Sequence, residues 1–168
     1  IVLAGGGAAL AYAYLPHFSS RIDRFLDPAA GDNFQALTGL EAFMNGGLFG
    51  RGPGEGTVKE ILPDAHSDFI FAVAGEELGL LACLIIVLLF AFVVLRGIAR
   101  SLNTHNLFIL LAVTGLLTQF GLQAVIHMAS TLNLIPTKGM TLPFISYGGS
   151  SLIGIAITMG MVLALTRK

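Results

Sequence analysis

The stretch LGLLACLIIVLLFAFVVL, from Leu78 to Leu95, contains no charged residue. A helix needs roughly 20 apolar residues to cross the hydrocarbon core of a bilayer. Extending the stretch back to Phe69 exceeds that length and adds only two charges, Glu76 and Glu77. The sequence therefore predicts a membrane-spanning helix over residues 69–95.

The composition of the whole chain also indicates a membrane protein. Of its 168 residues 55% are hydrophobic and only 11% are charged, whereas a soluble domain has about 25% charged residues. This argues against an ordinary soluble enzyme and against a disordered segment, which needs low hydrophobicity and high charge. Nine Lys and Arg against ten Asp and Glu give a net charge of −1, so there is no positive excess to bind nucleic acid.

Three further segments complete a predicted all-α polytopic membrane protein. Residues 107–130 and 151–166 are predicted to span the membrane, the first without any Asp, Glu, Lys or Arg. Residues 1–15 are predicted to be the end of a span whose start lies upstream. Because the chain begins at Ile1 without a charged leader and runs directly into apolar sequence, we expect it to be part of a longer protein.

Charge is distributed unevenly over the three predicted loops. Residues 16–68 form a long polar loop that contains eight of the ten acids, and residues 131–150 form a loop rich in proline and glycine. Residues 96–106 form a short basic loop without an acid, and Arg167 and Lys168 follow the last span. Short loops with an excess of Lys and Arg face the cytoplasm. The sequence therefore predicts that the two larger loops are extracytoplasmic.

The end of the long loop, LPDAHSDFIF at 62–71, carries the first candidates for chemistry. Asp64, Ser67 and Asp68 are all favoured helix N-cap residues, so they can simply cap the span that follows. The alternative is that Asp68 is a general base, because it would lie where water gives way to lipid and desolvation there makes a carboxylate a stronger base. His66 could then orient Asp68 or compete with it.

Polar residues inside the predicted spans leave two interpretations open. Acids within a span mark either a buried partner or a functional site, so Glu76 and Glu77 can be structural pairs or part of a site. Gln119, Gln123 and His127 recur at every fourth residue and form one polar stripe on an otherwise apolar helix. The stripe can form interhelical hydrogen bonds, or it can line a hydrophilic cavity.

Two basic residues and a pair of glycines are candidates for binding an anionic substrate. Lys138 either pairs with an acid of the outer loop or contacts a phosphate, and Arg51 lies in a glycine-rich, turn-rich segment. The glycines at 148–149 allow backbone amides to point at an anion, and Ser150 or the serine after it can cap the next span. The candidate substrate-binding residues are His66, Arg51, Lys138, Gln123 and Ser150.

Three blocks of the sequence carry a family resemblance. They are RIDRFLDP at 21–28 with NFQ at 33–35 and GGLFG at 46–50, LPDAHSDFIFA at 62–72 with GEELG at 75–79, and LIPTKG at 134–139 with LPFISYGGSS at 142–151. In this order they resemble the SEDS family of polytopic membrane proteins, and they cover most of the chain. The PTKG form at 136–139 and GPGEG at 52–56 are most similar to the cell-division branch of that family.

The resemblance implies a fold of ten spans, of which this chain would supply the last four, with the large extracytoplasmic loop between the seventh and the eighth. It implies a peptidoglycan glycosyltransferase that polymerises lipid II at the outer face of the bacterial cytoplasmic membrane. The implied setting is the division septum, with a class B penicillin-binding protein and other division proteins as partners. The family's essential acid lies in the block His-Ser/Thr-Asp-Phe, which corresponds to Asp68. Because the first six spans are not in this sequence, we expect the chain by itself to be inactive.

Glycosyl transfer from a polyprenyl diphosphate has two further requirements. The charge of the leaving group needs a cation, which we expect to be a divalent metal such as Mg²⁺ or Mn²⁺, or Lys138 and Arg51. The α-linked donor and β-linked product imply inversion without a covalent enzyme intermediate. Two other functions stay open: a lipid II flippase whose headgroup path is lined by Gln119, Gln123 and His127, and a non-catalytic scaffold that recruits division proteins.

Overall fold

The computed structural model describes residues 34–136 and 139–167, together with Tyr12, Tyr14, Leu15 and Ser19. Over the two continuous ranges every regular element is a helix, which confirms the predicted all-α fold. The five helices are α1 (Phe34–Gly46), α2 (Val58–Ile61), α3 (Ile70–Ser101), α4 (Leu107–Thr131) and α5 (Gly149–Thr166). The predicted partial span at 1–15 lies outside the described residues, apart from Tyr12, Tyr14 and Leu15.

Helices α3, α4 and α5 are each long and apolar enough to cross a membrane, and they lie where three spans were predicted. Only 11% to 22% of the residues in their most apolar stretches are buried, as expected for surfaces that face lipid or further helices. Helix α3 continues to Ser101, so only residues 102–106 of the predicted basic loop are non-helical. Asn106 ends that connection by capping α4 at Phe108 N, 3.0 Å away. The chain is thus part of a multi-pass membrane protein.

Helix α1 lies against the start of α3 through a row of small residues. Thr38, Gly39, Ala42 and Gly46 are buried and recur every three or four residues, which places them on one face of the helix. A Cβ on Gly46 would collide with the backbone of Gly75 in α3. Small residues in such a row allow two helix backbones to approach closely, so α1 holds the first turns of α3 in place.

Helix α3 is interrupted at Gly79, which has φ 83° and ψ 176°. This conformation is accessible essentially only to glycine. In a regular α-helix the N–H groups of residues 80 and 81 would bond to the carbonyls of Glu76 and Glu77. The predicted span over 69–95 did not include this break, because an apolar run has the same composition whether the helix is continuous or interrupted.

The segment 47–52, which follows α1, enters the break and replaces the missing hydrogen bonds. Four backbone hydrogen bonds join it to α3: Leu80 N to Gly47 O at 2.9 Å, Leu81 N to Leu48 O at 3.3 Å, Arg51 N to Glu76 O at 2.9 Å, and Gly52 N to Glu77 O at 3.0 Å. Backbone polar groups that are removed from water need such partners. The exchange therefore explains how an apolar helix tolerates a break.

The side chain of Glu76 holds the next part of the same loop. Its carboxylate is fully buried and accepts hydrogen bonds from Thr57 N at 3.1 Å and Val58 N at 3.0 Å. Arg51 Nη1 lies 3.5 Å from the same carboxylate. Since Thr57 is the N-cap of the short helix α2 and provides no side-chain cap of its own, Glu76 satisfies the first N–H groups of that helix.

Glu77 makes a parallel set of contacts one residue further on. It accepts a hydrogen bond from Lys59 Nζ at 2.7 Å and another from Gly54 N at 2.9 Å. Both acids of α3 are therefore engaged by the loop between α1 and α3. Of the two interpretations given for them, the structure supports structural pairing.

Candidate functional site

Asp68 lies at the end of a tight turn that precedes α3. Asp64 has a φ of 55°, and its carbonyl accepts hydrogen bonds from Ser67 N and Asp68 N, both at 3.0 Å. The neighbouring Ala65 and Phe69 are buried in the core beneath α1, which anchors the turn. The N-cap of α3 is Phe69, and no side chain caps the helix. The interpretation of Asp64, Ser67 and Asp68 as N-caps is therefore wrong, because the turn ends one residue before the capping position.

The carboxylate of Asp68 is partly buried and makes no hydrogen bond or ion pair with the residues that the structure describes. It lies beside the backbone of the loop between α4 and α5, since a Cβ on Gly139 would be 2.8 Å from Asp68 Oδ2. A carboxylate without an internal partner can accept a proton from a bound hydroxyl group. The position of Asp68 therefore suits the predicted general base.

The turn at 142–147, which precedes α5, is joined to the Asp68 turn by one hydroxyl group. Ser146 Oγ donates to Ser67 O at 2.6 Å and accepts from Leu142 N at 2.7 Å. Two loops that are far apart in the sequence therefore share a hydrogen-bonded serine directly beside Asp68.

We expect the Ser146→Ala variant to lose about 2 kcal/mol of stability, because Ser67 O and Leu142 N would both lose a partner in a partly buried place. Thermal unfolding of the full-length protein measures this effect. Thr158→Val is the control, because Thr158 donates only to Gly154 O within the exposed face of α5. An equal loss of stability in both variants would contradict the role of the Ser146 hydroxyl group in joining the two turns.

Two of the predicted substrate-binding residues lie in the long loop. The exposed side chain of His66 contacts the ring of Tyr147 edge to face, with 5.6 Å between ring centroids, and its carbonyl accepts from Tyr147 N at 3.0 Å. Arg51 is bonded to Thr57 Oγ1 at 3.2 Å besides its contact with Glu76. His66 is thus near Asp68 in the chain and packs on the second loop, whereas Arg51 belongs to the cluster at the break in α3.

The other three predicted residues lie on α4, α5 and the loop between them. Gln123 Nε2 donates to Thr141 O at 3.0 Å. Ser150 is exposed in the first turn of α5. The prediction that Ser150 caps α5 is wrong, because the helix begins at Gly149 with Gly148 as its N-cap and the serine is already inside it. Lys138 lies outside the described residues.

Several contacts at the site were not predicted from the sequence. Gly139, Thr141 and Ser146 all lie in or next to the third sequence block, but no role was assigned to them. The third block drew attention to residues 134–151, but it did not indicate which oxygen atoms and which nitrogen atoms form hydrogen bonds there. His127 was predicted as part of a polar stripe, and its partner, the carbonyl of Met140 at 2.6 Å from Nδ1, could not be predicted from the stripe.

The residues described do not form a metal site of the usual kind. No group of three or more His, Cys, Asp or Glu side chains is placed so that it could hold a metal ion within residues 34–136 and 139–167. The described side chains near Asp68 therefore do not by themselves supply three protein ligands to a divalent cation.

The helices and this site define a class: a multi-pass membrane protein with an acid at the end of the bundle where α3 and α5 begin and α4 ends. Among the described residues this acid has no hydrogen-bond or ion-pair partner. A model of the cell cycle protein family FTSW_RODA_SPOVE matches residues 1–168. The chain therefore belongs to the FtsW, RodA and SpoVE family of cell cycle proteins, as the sequence blocks indicated.

The chain is similar to curated relatives named FtsW. It is 49% identical over 168 residues to the "Probable peptidoglycan glycosyltransferase FtsW" of Caulobacter vibrioides, which covers 97% of this chain and 43% of that relative. It is 40% identical over 175 residues to the protein of the same name from Coxiella burnetii, covering 100% of this chain and 47% of that relative. The chain thus spans less than half the length of these relatives.

A solved structure agrees with this assignment. One chain of the structure described as "Structural coordination of polymerization and crosslinking by a peptidoglycan synthase complex" superposes with a TM-score of 0.74 at 27% sequence identity. The match covers 99% of this chain and 48% of that chain. The fold is therefore that of one part of a larger membrane protein.

Proposed function

We propose that the whole protein is a peptidoglycan glycosyltransferase that polymerises lipid II. The names of the relatives and of the solved complex support this activity. The observation that carries the proposal here is the carboxylate of Asp68, which two loops hold at one end of the bundle without any partner among the described residues. A structural acid such as Glu76 is surrounded by donors instead.

In the proposed reaction Asp68 is the general base. Its carboxylate accepts the proton of the acceptor sugar's hydroxyl group as that oxygen attacks the anomeric carbon of the donor. The new bond between oxygen and carbon forms while the bond from the anomeric carbon to the diphosphate oxygen breaks. The polyprenyl diphosphate leaves with the electron pair, and the anomeric configuration inverts.

The charge on the leaving diphosphate requires a positively charged group nearby. Arg51 already lies 3.5 Å from the Glu76 carboxylate, which reduces its availability for a second anion. Lys138 directly precedes Gly139, whose backbone lies against Asp68, so Lys138 is the stronger candidate on this chain. A divalent cation such as Mg²⁺ or Mn²⁺ remains a proposal for the complete protein.

We propose further that the site faces the outer side of the bacterial cytoplasmic membrane, at the division septum, with a class B penicillin-binding protein as a partner. The bases on the other side of the bundle, which are Arg96, Arg100 and Arg167, support this topology. The solved complex, described as coordinating polymerization and crosslinking, supports the partnership.

The polar stripe gives little support to the transport alternative. Gln123 and His127 point their donors at the backbone of residues 140–141, so they are engaged in holding a loop. The test is to reconstitute the full-length protein in vesicles that contain lipid II and to measure glycan polymer and headgroup translocation separately. Polymer formation supports the proposal. Translocation without polymer would support a flippase, and the absence of both would support a scaffold.

A further inference from the structure

Two side chains of α4 hold the backbone of the loop that lies against Asp68. The fully buried His127 donates from Nδ1 to Met140 O at 2.6 Å, and Gln123 donates from Nε2 to Thr141 O at 3.0 Å. A carbonyl oxygen can only accept a hydrogen bond, so the proton of the neutral imidazole must be on Nδ1. The two residues are one helical turn apart and bond to two consecutive carbonyls.

The carbonyls that they hold belong to the segment that contacts Asp68. Gly139 precedes Met140, and its α-carbon lies so close to Asp68 that an added Cβ would be 2.8 Å from Oδ2. The same segment is fixed on its far side, where Thr141 Oγ1 and Ser151 Oγ form a hydrogen bond of 2.5 Å. A shift of this backbone would therefore move it into or away from the carboxylate.

We propose that His127 is a positioning residue for glycosyl transfer, acting with Gln123 to set the distance between Gly139 and the Asp68 carboxylate. This inference rests on the proposed function of Asp68. His127 acts through Nδ1 and the carbonyl of Met140, and it touches neither substrate nor the reacting atoms.

The second ring nitrogen of His127, Nε2, could have a role of its own, and mutations can distinguish that role from positioning through Nδ1. His127 Nε2 is buried and has no hydrogen-bond partner among the residues that the structure describes. If the function of His127 depended on this atom, a bound hydroxyl or water would be its partner. A positioning role needs only Nδ1. Asparagine carries an amide nitrogen at the same number of bonds from Cα as Nδ1 and has no atom at Nε2, whereas glutamine reaches Nε2 and lacks a donor at Nδ1.

The experiment compares His127→Leu, His127→Asn and His127→Gln in the full-length protein reconstituted with lipid II. A misplaced catalytic group costs roughly 10- to 100-fold in rate, and we expect a loss of that size in kcat for the Leu and Gln variants, with KM little changed. His127→Asn should restore most of the activity. Gln123→Met should lower kcat in the same way, and Gln119→Met is the matched control, because Gln119 lies on the same stripe and is exposed.

Each outcome either supports or overturns the positioning role of His127. An Asn variant as inactive as the Leu variant would overturn the positioning role and point to Nε2, and a fully active Leu variant would overturn any role. Should the Leu variant fail to fold, the Gln variant carries the same comparison with Asn. Failure of the proposed function is separately visible, because it would appear as normal polymerisation by Asp68→Asn, whatever the His127 variants do.

Discussion

The Asp68→Asn variant of the full-length protein is expected to lose lipid II polymerisation by about 100-fold or more, the usual contribution of a general base. The amide has nearly the same shape as the carboxylate, but it cannot take the proton of an attacking hydroxyl. The folded state should be unaffected, because the Asp68 carboxylate makes no hydrogen bond or ion pair with the described residues. The measurement is the rate of glycan formation from lipid II in vesicles, together with thermal unfolding of the same preparation.

Asp64→Asn provides the matched control for this variant. Asp64 lies in the same turn, carries the same charge and is exposed, and its φ of 55° is one that asparagine adopts readily. The control should therefore retain both stability and activity. Near-normal polymer yield from Asp68→Asn would exclude Asp68 as the base. An equal loss of activity in both variants would show that the negative charge of the turn matters rather than Asp68 itself.

The sequence identified Asp68 as a candidate but could not choose between a cap and a base. Both roles are filled by an acid just before an apolar helix, and their local sequence requirements are the same. The difference depends on the turn at Asp64 and on Phe69 as the N-cap, which leave α3 without a side-chain cap. That arrangement depends on Phe69 being buried beneath α1, a contact between distant parts of the chain.

The polar stripe on α4 shows the same limit in a different form. A spacing of four residues predicts correctly that Gln123 and His127 share a face of the helix. Their partners are main-chain carbonyls of Met140 and Thr141. Every residue has a carbonyl, so the sequence carries no signal that selects these two. The four-residue spacing therefore predicted the two donor side chains, and only the structure shows which carbonyls accept from them.

The break in α3 was beyond prediction for a related reason. Gly75 and Gly79 are visible in the sequence, but glycine is common in membrane helices and does not by itself break them. What decides the break is the supply of replacement hydrogen bonds from the segment 47–52, which lies about 30 residues earlier in the chain. Glu76 and Glu77 stabilise the same arrangement, since they hold the loop that continues from this segment.

The Gly79→Ala variant is expected to destabilise the protein more than Gly47→Ala or Gly154→Ala. The conformation with φ 83° and ψ 176° costs a residue with a side chain roughly 1–3 kcal/mol. The added Cβ would also collide with the backbone of Gly50 and come within 2.6 Å of the carbonyl carbon of Phe49. Because these are backbone atoms of the segment that fills the break, relief requires that segment to move and its four hydrogen bonds with α3 to weaken.

Two further glycine variants separate the strain from the collision. Gly47 has a φ of 56° with nothing near its Cβ position, so Gly47→Ala measures the left-handed backbone alone, at about 1 kcal/mol. Gly154 lies in α5 with open space around it and no positive φ, so Gly154→Ala should have little effect. In thermal unfolding of the three full-length variants, the melting temperature of Gly79→Ala should be well below that of Gly47→Ala. The melting temperature of Gly47→Ala should in turn be below that of Gly154→Ala. If Gly79→Ala lost no more stability than Gly47→Ala, the segment 47–52 would not fill the break as closely as the hydrogen bonds indicate. The first turns of α3 would then be held by the packing of α1 alone.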